Sequence, residues 1–119
     1  MEHLYIHVNN TILDCECVEN TSSKALLEKL KEGDVELSMS DYGGFEKVGE
    51  LGFTLPQNNE PLQTTAGDVI LYLGYRFVIY YGQNNWELTR IGRIRNISGA
   101  DLKELLGAEQ IKIRLSLEK

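Results

Sequence analysis

Asp68-Val69-Ile70-Leu71-Tyr72-Leu73-Gly74-Tyr75-Arg76-Phe77-Val78-Ile79-Tyr80-Tyr81 is the stretch on which the fold turns. Two runs of β-branched, aliphatic and aromatic residues flank Gly74, the composition of paired strands rather than of a helix. Gly74-Tyr75 suits the centre of a type II′ turn, whose first central position needs the positive φ that glycine tolerates. That register sets Tyr72 opposite Phe77 and Ile70 opposite Ile79 on one face. Leu71 with Val78 and Leu73 with Arg76 then fall on the other. Both faces are largely apolar, so the hairpin is expected to be central, between a core and a covering element.

Working towards the C-terminus, Gln83-Asn84-Asn85 reads as a turn and Trp86 to Ile94 as a strand. Its apolar positions Leu88, Ile91 and Ile94 break period two, which predicts a bulge near Gly92. Ser98 followed by Asp101 is a helix start, with Leu102, Leu105 and Leu106 on one face and Gly107 at the end. Ile111, Ile113, Leu115 and Leu117 alternate with polar residues in a last strand.

Towards the N-terminus, Asp41 to Pro61 is punctuated by glycines, asparagines and prolines, with a short strand predicted from Val48 to Phe53. Val35, Leu37 and Met39 alternate before it. Asn20-Thr21 offers an N-cap to a helix over Ser22 to Lys31, whose stripe is Leu26, Leu27 and Leu30. Leu4, Ile6 and Val8 alternate in a first strand, Asn9-Asn10 turns the chain, and Thr11 to Val18 is the second. The order is two strands, a helix, five strands, a helix and a strand. Residues 1–119 thus read as a single mainly β domain, and closing its antiparallel strands into a barrel removes exposed edges.

A formal net charge of −6 on 119 residues argues against nucleic acid and against an anionic membrane surface. The opening Met1-Glu2-His3-Leu4-Tyr5 carries no basic region followed by an apolar one, so cytoplasm is the expected location. Cys15 and Cys17 share one strand face and are expected to be buried, reduced thiols. His3 and His7 share a face at roughly 13 Å, too far apart for one metal ion to bridge. No Gly-x-Gly-x-x-Gly, P-loop or Gly-x-Ser-x-Gly motif occurs, and no cofactor or metal is expected.

The segment Ser40-Asp41-Tyr42-Gly43-Gly44-Phe45-Glu46-Lys47-Val48-Gly49, followed by Pro56, resembles the signature of the bacterial cyclophilin-like family. Thr65 to Tyr72, Tyr81-Gly82, and Trp86 with Arg90-Ile91-Gly92-Arg93-Ile94 are similar to the same family. The resemblance implies an eight-stranded antiparallel barrel with two short helices at its ends. The prolyl-isomerase cyclophilins, as that relationship implies, use an arginine beside a hydrophobic proline pocket, preceding a Phe-Met-x-Gln run. This sequence lacks the run, and its strand Asp34-Val35-Glu36-Leu37-Ser38-Met39 has no arginine.

Candidate chemistry concentrates in the Asp41–Gly49 segment, read as a loop. Asp41, Tyr42, Glu46 and Lys47 bring an acid, a phenol and an amine beside glycines that allow close backbone approach. The competing structural account has Asp41 capping a turn and Glu46 and Lys47 solvated. As sequence neighbours in an extended chain, Glu46 and Lys47 point to opposite faces. Tyr80, Tyr81, Trp86 and Arg90 form a second cluster near a hairpin end, where the rings can stack on a ligand and the guanidinium can fork onto a carboxylate, with core or barrel-mouth packing as the competing account. Asp41, Tyr42, Glu46, Lys47, Trp86 and Arg90 predict a groove for a small polar ligand or a peptide segment. The alternative is an enzyme on the same cleft, a divergent prolyl isomerase or a small hydrolase. A monomer or weak homodimer is expected, because a second copy is one way to cover the two-sided hairpin.

Overall fold

The computed structural model describes residues 2–44, 46–107 and 110–119. Strands β1 (His3–Val8) and β2 (Thr11–Cys17) precede helix α1 (Thr21–Glu32). Then follow β3 (Val35–Tyr42), β4 (Glu46–Glu50), β5 (Glu60–Thr64), β6 (Asp68–Tyr72), β7 (Arg76–Tyr80) and β8 (Asn84–Ile94). Helix α2 (Gly99–Leu105) and strand β9 (Gln110–Ser116) complete the chain. Both helices start as their sequences predict. The Asn20 side chain accepts from the Ser23 backbone N–H at 2.8 Å, and Ser98 Oγ accepts from that of Asp101 at 3.2 Å.

Eight strands form a closed antiparallel ring in the order β2-β1-β9-β3-β4-β7-β6-β8, and β8 returns to β2. The closing seam has three pairs, Cys15 with Ile94, Glu16 with Arg93 and Cys17 with Gly92. Gly92 is required there. A Cβ on it would stand 2.4 Å from the Glu16 carbonyl oxygen and 2.8 Å from Cys15 Sγ. The ladder beside it shifts register between Val69–Gly92 and Ile70–Arg90, which is the expected bulge.

Three expectations need correction. The Asp41–Gly49 segment is not a loop: β3 and β4 pair from Met39–Gly49 to Tyr42–Glu46, and Gly43 and Gly44 turn the chain at φ 65 and 76. Phe45 of the motif lies outside the described residues. The hairpin register is one residue from the predicted one, pairing Tyr72 with Arg76, Leu71 with Phe77, Ile70 with Val78 and Val69 with Ile79. Its turn is the three residues Leu73-Gly74-Tyr75, with Leu73 at φ 58 and Gly74 at φ 80. A one-residue slip exchanges the faces. Finally, β5 is a ninth strand outside the ring, paired with the first half of β8 from Glu60–Leu88 to Thr64–Asn84.

The corrected register sorts the side chains into two clusters. Val69, Leu71, Phe77 and Ile79 join Leu4, Ile6, Leu13, Cys15, Met39, Ile91, Ile113 and Leu115 inside the barrel, with Leu26 and Leu30 of α1 and Leu102 of α2. Ile70, Val78, Tyr80 and Leu88 form a second cluster with Val48, Leu62 and Tyr72 on the outer wall. The hairpin is therefore apolar on both sides because both sides are packed, and Leu62 of β5 belongs to the outer layer.

Candidate functional site

Strand parity builds the site. Glu46 lies opposite Tyr80, Val48 opposite Val78 and Glu50 opposite Arg76 on β4 and β7. Residues at paired positions share a face, so Glu46 follows Tyr80 to the outer wall. Lys47 follows Ile79 to the barrel interior. A groove of about 410 Å³ runs over the outer wall. Its floor is Val48, Val78 and Leu88, Glu46, Tyr80 and Asn84 supply polar groups, and Tyr42, Tyr72, Arg76 and Trp86 complete the lining. Tyr42 is 65% exposed and Trp86 61%, large aromatic surfaces left open to solvent.

Glu46 is only 7% exposed. Burial raises its carboxyl to about 6; the hydrogen bond from the Tyr80 hydroxyl works in the opposite direction, and the Asp41 charge adds to the rise. Burial likewise pushes Tyr80 up to about 12, while Asn84 Nδ2 donates to its Oη at 3.3 Å. A desolvated carboxyl, a phenol and an amide thus meet over an apolar floor. Such a carboxyl holds its proton more tightly than an exposed one, and its ionised form gains free energy from any cation or donor brought to it.

Of the six residues singled out by sequence, the groove collects Tyr42, Glu46 and Trp86. Asp41 and Lys47 belong to the other side of the wall, where Lys47 Nζ lies 3.5 Å from Asp41 Oδ1 and the lysine is fully buried. Asp41 also caps the turn, accepting from the Gly44 N–H at 3.2 Å. Solvation of Glu46 and Lys47 is excluded, since both are buried. Arg90 stands apart. It shares the Trp86 face but lies four residues further along β8, where its guanidinium is 3.6 Å from the buried Asp68 in a cavity with Glu16, Arg93 and Arg95.

Sequence reasoning missed Arg76, Tyr72 and Asn84 as groove residues but grouped Tyr80 with Trp86, and both line the groove. Arg76 was expected opposite Leu73; the true register, Arg76 with Tyr72 and Glu50, is the signal that finds it. A larger hollow of about 670 Å³ beside α1 includes Lys24, Glu28 and Lys31, but these are exposed and lack the desolvation that sets Glu46 apart.

The remaining candidates have structural partners. His3 Nδ1 is 2.6 Å from Asp14 Oδ1, and His7 Nε2 is 2.8 Å from Ser116 Oγ. Cys15 and Cys17 are free, buried thiols. Their mutual hydrogen bond raises Cys15 and lowers Cys17. Among the described residues no group of three or more His, Cys, Asp or Glu side chains is placed to hold a metal ion, and no helix is long and apolar enough to cross a membrane.

The solution structure of the hypothetical protein AF2241 from Archaeoglobus fulgidus superposes with a TM-score of 0.70 at 16% identity. The match covers 98% of this chain and 95% of that one, and it establishes the fold alone. No curated protein matches the sequence. Residues 6–118, nearly the whole barrel, match the cyclophilin-like family, and the chain belongs to that family.

Proposed function

We propose that this domain is a binding module whose outer-wall groove receives a small polar ligand or a peptide segment. One observation carries the reading: a nearly buried Glu46 hydrogen-bonded to Tyr80 shares a groove with the apolar Val48, Val78 and Leu88 and with two exposed aromatic rings. Leaving a carboxyl desolvated costs free energy that packing alone does not return. A ligand donating to Glu46 offsets that cost, and its apolar body covers Val48, Val78 and Leu88. Trp86 and Tyr42 supply stacking area at small entropic cost.

The chain has a single tryptophan, so the emission of Trp86 reports occupancy of the groove directly. Titration with a panel of metabolites and proline-containing peptides is expected to give saturable emission changes for at least one compound. Glu46→Ala is expected to weaken that compound at least tenfold, about 1.4 kcal/mol. A panel without any saturable change, or a hit indifferent to Glu46→Ala, would overturn the assignment.

A second reading, prolyl isomerisation in the same groove, is favoured by Arg76, a guanidinium beside the same apolar floor. That pairing answers the requirement stated for the isomerase cyclophilins, from a different strand. A protease-coupled proline-peptide assay tests it, with acceleration lost in Arg76→Ala as the supporting result and none at high protein concentration as the rejecting one.

A further inference from the structure

The groove is charged at both ends and apolar between them. Glu46 lies opposite Tyr80 and Glu50 opposite Arg76, so the acidic and basic ends are four positions apart along β7. At 3.2–3.4 Å per residue that is roughly 13 Å. Val48 and Val78 occupy the middle, with Leu88 beside them. Arg76 is in no ion pair among the described residues, and its guanidinium lies over the Tyr75 ring at 5.3 Å from the centroid. Glu46 likewise has no cationic partner among the described residues, only the Tyr80 hydroxyl. Two opposite charges therefore face one groove, and among the described residues neither is in an ion pair, although Glu50 lies across the ladder from Arg76.

From this arrangement we infer that the ligand is a short peptide with free ends, its terminal ammonium on Glu46 and its terminal carboxylate on Arg76. The inference rests on the groove being a binding site and names the class of ligand. A fully extended chain spans at most about 3.3–3.6 Å per residue, so roughly 13 Å corresponds to three or four residues, with some tolerance from the long Arg76 side chain. The α-amino group is protonated at neutral pH and meets a carboxylate beside exposed Trp86 and Tyr42, whose ring faces attract cations. Arg76 presents the fork that matches a carboxylate. Apolar central side chains rest on the valines. A ligand without the ammonium leaves the buried Glu46 without a counter-charge, and one without the carboxylate forgoes the Arg76 contact, which selects against both.

Capped peptides test the inference on the unaltered protein. Trp86 emission is followed at pH 7.5 with Ala-Val-Ala and Ala-Val-Val-Ala, each free, N-acetylated, C-amidated and doubly capped. The free forms are expected to bind at least tenfold more tightly than either singly capped form, and the doubly capped form more weakly still. In Glu46→Gln the penalty for N-acetylation disappears and that for amidation persists; in Arg76→Gln the pattern reverses. Equal binding of free and capped peptides would overturn the inference while leaving the groove as a binding site. A groove that responds to other ligands of the panel but to none of these peptides would do the same, and silence towards every compound would overturn both.

Discussion

Glu46 and Lys47 are neighbours in sequence and inhabit different media. Lys47 points into the barrel beside Ile79, has no exposed surface and has Asp41 at 3.5 Å. Glu46 points to the outer wall beside Tyr80 and lines an open groove. Both are desolvated, yet only Glu46 lines an open groove. The inner charge is answered by the chain itself, from the adjacent strand β3. The outer one has a hydroxyl but no counter-charge among the described residues. Burial alone therefore does not mark a functional ionisable group; what marks it is burial next to open space with its charge unmatched.

The largest effect that tests this contrast is expected inside the wall. A Cβ on Gly49 would meet Ser38 O at 2.8 Å and the Leu37 and Met39 side chains at 2.9 Å. Gly49→Val should therefore cost about 3 kcal/mol by overpacking, against about 1 kcal/mol for Val48→Ala on the half-buried outer face. Urea denaturation of both variants checks the order. Equal losses would mean that the two faces of β4 are packed alike.

A smaller effect follows from the Glu46 carboxyl, raised from 4.5 to about 6 in the fold. Between those values the folded state holds more protons than the unfolded one, so stability is greatest below pH 4.5 and declines as pH rises through 6. At about 1.36 kcal/mol per pH unit the decline is on the order of 2 kcal/mol. Glu46→Gln should match the parent protein near pH 4 and exceed it by that amount at pH 8. Thermal unfolding across the range decides, and a Gln variant less stable at pH 8 would make Glu46 a structural anion.

The smallest effect belongs to Trp86. It is 61% exposed, so Trp86→Ala should change stability by less than about 0.5 kcal/mol. Circular dichroism follows the unfolding without the tryptophan. A loss above 1 kcal/mol would make the ring part of the packing rather than a surface kept for a ligand.

The barrel strands were legible because period-two alternation is a direct consequence of burying one face. Strand β5 was not. Glu60-Pro61-Leu62-Gln63-Thr64 has one aliphatic residue and a proline, and its pairing with β8 is a tertiary contact that local sequence does not encode. The hairpin register was misread because Leu73 adopts φ 58, a conformation that side chains disfavour and pattern reading assigns to glycine. The site was half legible. Tyr42, Glu46 and Trp86 converge, whereas Asp41 and Lys47 turn inward by parity. Arg90 falls outside the groove because it lies four residues beyond Trp86 on β8, where the buried Asp68 is 3.6 Å from its guanidinium. Arg76 needed the true register.

The ring itself has a consequence in time. It closes where Cys17 meets Gly92, and β1 reaches β9 with Val8 opposite Ile113. These contacts join residues that are remote along the chain, so most of the entropy of loop closure is lost before the interior can form. No early hairpin is a barrel in miniature. The domain belongs at the slow end of folding for its size.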